Sequence, residues 1–131
     1  MKKLITIITI ALVTVSAMFA EVKKPANFVD VKTWTVEATN EIATRQDLLD
    51  TLQYYIDAHL ECQERAAETI KKLEPYKGDE KADTLIANLE SSIRKSADII
   101  TGLQKHLKKC NNMTDETFNQ MVANDRAKRG L

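Results

Sequence analysis

The histidines and cysteines of this chain come in two pairs, His59-x-x-Cys62 and His106-x-x-x-Cys110. Residues three or four apart share a helix face, so each pair would present one nitrogen and one sulfur donor side by side. Brought together, the four side chains make a Cys2His2 set that suits tetrahedral zinc or copper(I). Both cysteines also fall on apolar stripes, where a thiol packs as a small hydrophobe. Outside a reducing cytosol, two cysteines default to a single disulfide, Cys62–Cys110. Closing a loop of that length is worth roughly 4 kcal/mol in the chain-entropy picture. Nucleophilic catalysis is the least supported use, because no third orienting group, Gly-rich turn or oxyanion-type motif stands near either pair. The expectation is a non-enzymatic protein with no cofactor, zinc or copper being the alternative.

The first twenty residues say which compartment those thiols meet. Met1-Lys2-Lys3 is a short cationic start, Leu4–Val15 is an uncharged apolar run, and Ser16–Ala20 supplies mostly small residues before Glu21. That is the layout of a bacterial secretory signal peptide. The run is shorter than the roughly 20 residues of a spanning helix. Cleavage after Ala17 or Ala20 fits, and the absence of Cys nearby argues against a lipid anchor. The expected protein is periplasmic or secreted, with residues 1–20 removed, 21–131 forming one helical domain, and no integral membrane segment after cleavage.

Composition narrows the class further. The whole chain balances 19 Lys and Arg against 19 Asp and Glu, and loss of Lys2 and Lys3 leaves it slightly acidic. A nucleic-acid binder normally shows a basic excess, so that partner is excluded. With three Gly, two Pro and 29% charged residues, the chain reads as helical. Charge is also segregated. Nine acidic residues lie between Asp30 and Glu68, whereas Arg94, Lys95, Lys105, Lys108 and Lys109 face Asp98 alone in the stretch 94–109. Segments of opposite sign can lie side by side, or remain two solvated faces.

The elements that must position the two pairs follow from periodicity. Residues 21–30 form a loose lead-in broken by Pro25, and the Val, Thr and Trp content of 29–36 also suits a short strand. A first helix is predicted over about 34–73, with Trp34, Ala38, Ile42, Leu49, Leu52, Ile56, His59, Cys62, Ala66, Ile70 and Leu73 on its inward face. Pro75-Tyr76-Lys77-Gly78 is a turn. A second helix over about 79–109 carries Ala82, Leu85/Ile86, Leu89, Ile93, Ala97, Ile100, Leu103, Leu107 and Cys110, with Gly102 a place where it can kink. Thr114 caps a third, short helix over about 114–128 bearing Phe118, Met121 and Val122, and 126–131 reads as frayed. The fold class is all-α, either a long helical hairpin or a small three-helix bundle.

These elements put the disulfide under strain. In a straight hairpin turning at 75–78, Leu73 faces Ala82 and Cys62 faces Ile93. Cys110 then lies about 17 residues away, roughly 25 Å at 1.5 Å per residue, beyond any disulfide. A bent first helix, a fold-back at Gly102, or pairing between two chains in a homodimer would each resolve the conflict.

Around its cysteines the chain resembles the Hde periplasmic acid-stress chaperones. Cys62-Gln63-Glu64 is similar to the segment at that family's first Cys, Cys110 follows at a similar separation, and Cys110-x7-Phe118-x3-Val122 is similar to its C-terminal helix. The helix before Cys62 is longer than the family's lead-in, and Leu60-Glu61 replaces its usual aromatic. The resemblance implies a Cys62–Cys110 disulfide and an apolar surface released to hold unfolded clients when carboxylates and His protonate. Taken with the helical surface, it makes the expected activity polypeptide binding, as a stress chaperone. The alternatives are a structural or adhesive coiled-coil or adaptor protein, an inhibitor of one partner, or a metal-binding protein using His59, Cys62, His106 and Cys110. Intact mass of the exported protein is expected to show a start near Glu21; retention of residues 1–20 would overturn the signal-peptide reading.

Overall fold

The structure, a computed structural model, describes residues 22–131, so the signal-peptide segment lies outside the described residues. A two-stranded antiparallel ribbon comes first, β1 (Val29–Asp30) paired with β2 (Thr35–Val36) in the register Val29 to Val36 and Asp30 to Thr35. Three helices follow: α1 (Arg45–Leu73), α2 (Glu80–Asn111) and α3 (Asp115–Lys128), with a 3-10 turn at Glu74–Tyr76. The described residues are therefore all-α apart from the ribbon. It divides into two compact units, one holding Asp57–Thr101 and the other Lys23–Ile56 with Gly102–Leu131.

The first helix starts at Arg45, not near Trp34 as periodicity predicts. Thr33, Thr35 and Val36 are β-branched and favour extended backbone, and residues 34–44 satisfy their amides locally. Trp34 N–H donates to the Asp30 carbonyl (2.8 Å), Asn40 N–H to Val36 (2.8 Å) and Ala43 N–H to Trp34 (2.9 Å). Ala38 and Ile42, assigned to the inward helix face, are exposed in this segment. The helix then begins at a reciprocal cap. The Thr44 hydroxyl accepts from Asp47 N–H at 3.2 Å, and the Asp47 carboxylate accepts from Thr44 N–H at 2.8 Å.

In the Asp57–Thr101 unit, the ends of α1 and α2 that flank the turn form an antiparallel pair. Gly78 at φ +95° makes the reversal, and the Asp79 carboxylate accepts from Lys81 N–H (3.0 Å) to start α2. Leu73, Ala82 and Ile86 are its buried centre, with Ile70, Tyr76, Leu85 and Leu89 packed around them. The register is that of a straight hairpin: Gln63 reaches the Ile93 carbonyl at 3.2 Å and His59 meets Ser96 at 3.3 Å. No fold-back occurs at Gly102, because α2 continues through it to Asn111.

The other unit has its own core. Leu48, Cys110, Phe118 and Val122 are buried together, with Trp34, Leu49, Leu52, Met113 and Met121 against them. A second cluster, Val29, Val36 and Ala43, lies under the ribbon, and Trp34 packs against that one too. Buried Thr51 ties ribbon to helix, accepting from Val29 N–H at 3.0 Å while donating to the Asp47 carbonyl. α3 is capped by Thr114 as expected. Its last residues are not frayed: the helix runs to Lys128, and Arg126 and Arg129 donate to ribbon carbonyls.

Two substitutions separate core from cap. Phe118→Ala, at a side chain with no exposure, is expected to cost about 3–5 kcal/mol, and Thr44→Ala about 1 kcal/mol. Urea denaturation followed by circular dichroism measures both, and equal losses would contradict this core.

Candidate functional site

The two His–Cys pairs lie in different units. His59 and Cys62 belong to the Asp57–Thr101 unit, and His106 and Cys110 to the other. Among the described residues, no group of three or more His, Cys, Asp and Glu side chains is placed to hold a metal. His59 is half-buried beside Ser96. His106 is exposed.

The two sulfurs are not joined in a disulfide. Cys110 sits against the first turn of α1, its Sγ 4.0 Å from the Arg45 carbonyl. Cys62 is buried on α1 within the Asp57–Thr101 unit. Burial pushes both thiols above their ordinary pKa; Glu61 adds to the effect at Cys62, where Arg65 opposes it, and Arg45 opposes it at Cys110. A nucleophilic thiolate needs the opposite shift.

What the Cys110 neighbourhood does hold is a cavity of about 310 Å³. Trp34, Leu48, Leu52, Met113, Phe118 and Met121 form its apolar wall, with Val31, His106, Lys109 and Cys110 completing the lining. A wider hollow of about 700 Å³ runs along one flank of α3 past Glu116, Gln120 and Lys128; it is the open side of one helix. The smaller cavity is the better site, because three elements and an aromatic pair shape it. Trp34 and Phe118 meet edge to face at 6.3 Å and 84°, a favoured aromatic geometry.

The ribbon loop 31–34 borders this cavity and is held in place by polar contacts. Trp34 stands at φ +58°, a left-handed conformation that costs a non-glycine residue about 1–2 kcal/mol. Its Nε1–H donates to Asp125 at 2.6 Å, and the same carboxylate oxygen pairs with Arg129 at 3.0 Å. Arg126 donates to the Thr33 carbonyl, and Arg129 to those of Lys32 (2.9 Å) and Val31 (3.3 Å). Ahead of the ribbon, Asn27 donates to both Asp47 (3.0 Å) and Asp50 (2.8 Å). Arg45 reaches Asp115 at 2.8 Å and the Asn111 carbonyl at 3.2 Å, fixing the junction of α2 and α3.

Sequence reasoning placed Cys110 and His106 but missed Trp34, Lys109, Asp125, Arg126 and Arg129 as parts of one site. The only signal was the single Trp of the chain among β-branched residues; residues 126–131 read as frayed. The basic stretch is likewise a solvated face, with Arg94, Lys95, Lys105, Lys108 and Lys109 all exposed.

The chain matches no protein-family model, no curated protein and no solved structure.

The raised thiol sets a pH dependence. The folded state binds the Cys110 proton more tightly than the unfolded chain does. That contribution to stability is complete below the ordinary thiol pKa and is lost as pH rises through the folded value. Iodoacetamide at pH 8 is expected to alkylate Cys110 on the order of tenfold more slowly in the native protein than in urea, with no reductant needed in either case. Equal rates would place the thiol in solvent, and labelling in urea only after reduction would show a disulfide.

Proposed function

We propose that this chain is a non-enzymatic periplasmic or secreted protein that binds unfolded polypeptides as a small acid-stress holdase. The observation that carries the reading is that the apolar site of the ribbon-bearing unit is bordered by a loop whose attachment rests on ionised groups. Asp125 serves Trp34 and Arg129 at once, and Asp47 and Asp50 share Asn27. Charge-assisted contacts of this kind are about twice as strong as neutral ones, and acid removes the charge. Loss of the Asp125 charge breaks its pairing with Arg129 and leaves that guanidinium beside the ribbon loop without its counter-charge. The left-handed strain at Trp34 then has less to offset it. Release of the loop frees the indole, Leu48, Leu52, Phe118 and Met121 for apolar segments of a client.

A second reading, an adaptor or structural protein that pairs with another copy, draws on Leu60 and Ile99, large apolar side chains about half exposed at 49% and 46%.

Light scattering of an aggregating client is expected to show suppression near pH 3 and none at pH 7. Asp125→Asn is expected to bring suppression at pH 7, with dye binding to apolar surface rising in parallel. No suppression at either pH, with unchanged dye binding, rejects the holdase reading; a dimer at pH 7 by light-scattering mass, lost on Leu60→Ser and Ile99→Ser, puts the adaptor reading in its place.

A further inference from the structure

We propose that the cavity around Trp34, with the ribbon seated at neutral pH, is a binding site for a small amphiphile with an apolar body and a single carboxylate head, such as a medium-chain fatty acid. This is separate from client holding, which needs the ribbon released.

Size, lining and charge each point the same way. A volume of about 310 Å³ holds about ten non-hydrogen atoms at roughly 30 Å³ each, the share of a water molecule in the liquid. Octanoate has about that many. Small-molecule sites are typically apolar clefts of at least about 300 Å³ with a few placed polar groups, and this one follows that pattern. Its wall offers an indole, a phenyl ring, two leucines and two thioethers; methionine adapts to chains of different shape. The polar groups in the lining are Lys109, His106 and the neutral Cys110 thiol, and no carboxylate is among them.

Charge complementarity therefore favours an anionic head at the Lys109 and His106 side. The C-terminus of α2 carries partial negative charge that works against an anion. It is countered by Lys108 and Lys109 in its last turn and by Arg45, which donates to the Asn111 carbonyl. Asp125, the nearest carboxylate to Trp34, is already engaged by Arg129. Lys109 and His106 are exposed, so a head group there stays hydrated while the chain enters the cavity.

The test uses the full mature protein at pH 7 and titrates it with octanoate, octanol and octyltrimethylammonium. Fluorescence of Trp34, the single Trp of the chain, gives one readout and calorimetry another. Octanoate is expected to bind saturably with one site per chain, to shift Trp34 emission, and to slow alkylation of Cys110 while leaving Cys62 unaffected. Lys109→Gln is expected to weaken octanoate about fivefold without changing octanol. Leu52→Phe, which fills the cavity, is expected to weaken both about tenfold or more, its helical circular dichroism confirming that it folds. If Leu52→Phe does not fold, Met121→Phe takes its place with the same expectation. Equal binding of all three amphiphiles would overturn the carboxylate preference, and binding that leaves Trp34 emission and Cys110 alkylation unchanged would overturn the site. No saturable binding of octanoate would overturn the proposal outright, and client suppression at pH 3 would still stand or fall by itself.

Discussion

The placement of one side chain, Trp34, organises the unit that bears the site. Its indole touches both apolar clusters, Val29–Val36–Ala43 under the ribbon and Leu48–Cys110–Phe118–Val122 between the helices. A two-stranded ribbon has too little core to stand alone in water, so this one depends on the packed indole together with the bonds from Thr51, Arg126 and Arg129. The backbone cost of holding Trp34 at φ +58° is met by burial, by the edge-on contact with Phe118 and by the bond to Asp125. Strain of this kind persists where surroundings over-determine a residue, often at functional places.

The balance between apolar and ionic contacts differs between the two units. The Asp57–Thr101 unit is an antiparallel helix pair closed by a tight turn, with aliphatic side chains at its centre and an exposed, charged surface. The other unit combines a small aromatic core with charged residues that reach from α3 to backbone carbonyls of the ribbon loop. Apolar burial is indifferent to pH, whereas carboxylate and guanidinium contacts are not. Each unit holds such a contact, Glu61–Arg65 at 3.2 Å in one and Asp125–Arg129 at 3.0 Å in the other, and the second carboxylate also engages the ribbon loop through Trp34.

Much of the helical layout was legible. The turn at Pro75–Gly78, the stripe from Ala82 to Cys110 apart from Ala97, which is exposed, and the capped helix carrying Phe118 and Val122 follow from local rules, and local rules act within one element. The misassigned stretch was 34–44. There Trp34, Ala38 and Ile42 keep a helical spacing by coincidence, while the β-branched neighbours and the Thr44–Asp47 cap decide the backbone. Spacing counts positions and cannot register a left-handed residue that breaks the helix at its start.

From residue types alone follow the secretory leader as an expectation, the helical class, and two His–Cys pairs each on one helix face. Tertiary structure decided what those pairs do. Cys62 and Cys110 are two buried thiols in different units, not joined in a disulfide, and α2 continues through Gly102 to Asn111. It also decided that Trp34, Lys109 and Asp125, scattered over more than ninety residues, belong to one place. Burial and charge pairing between distant segments depend on how the chain returns on itself, and a linear pattern holds no record of that return.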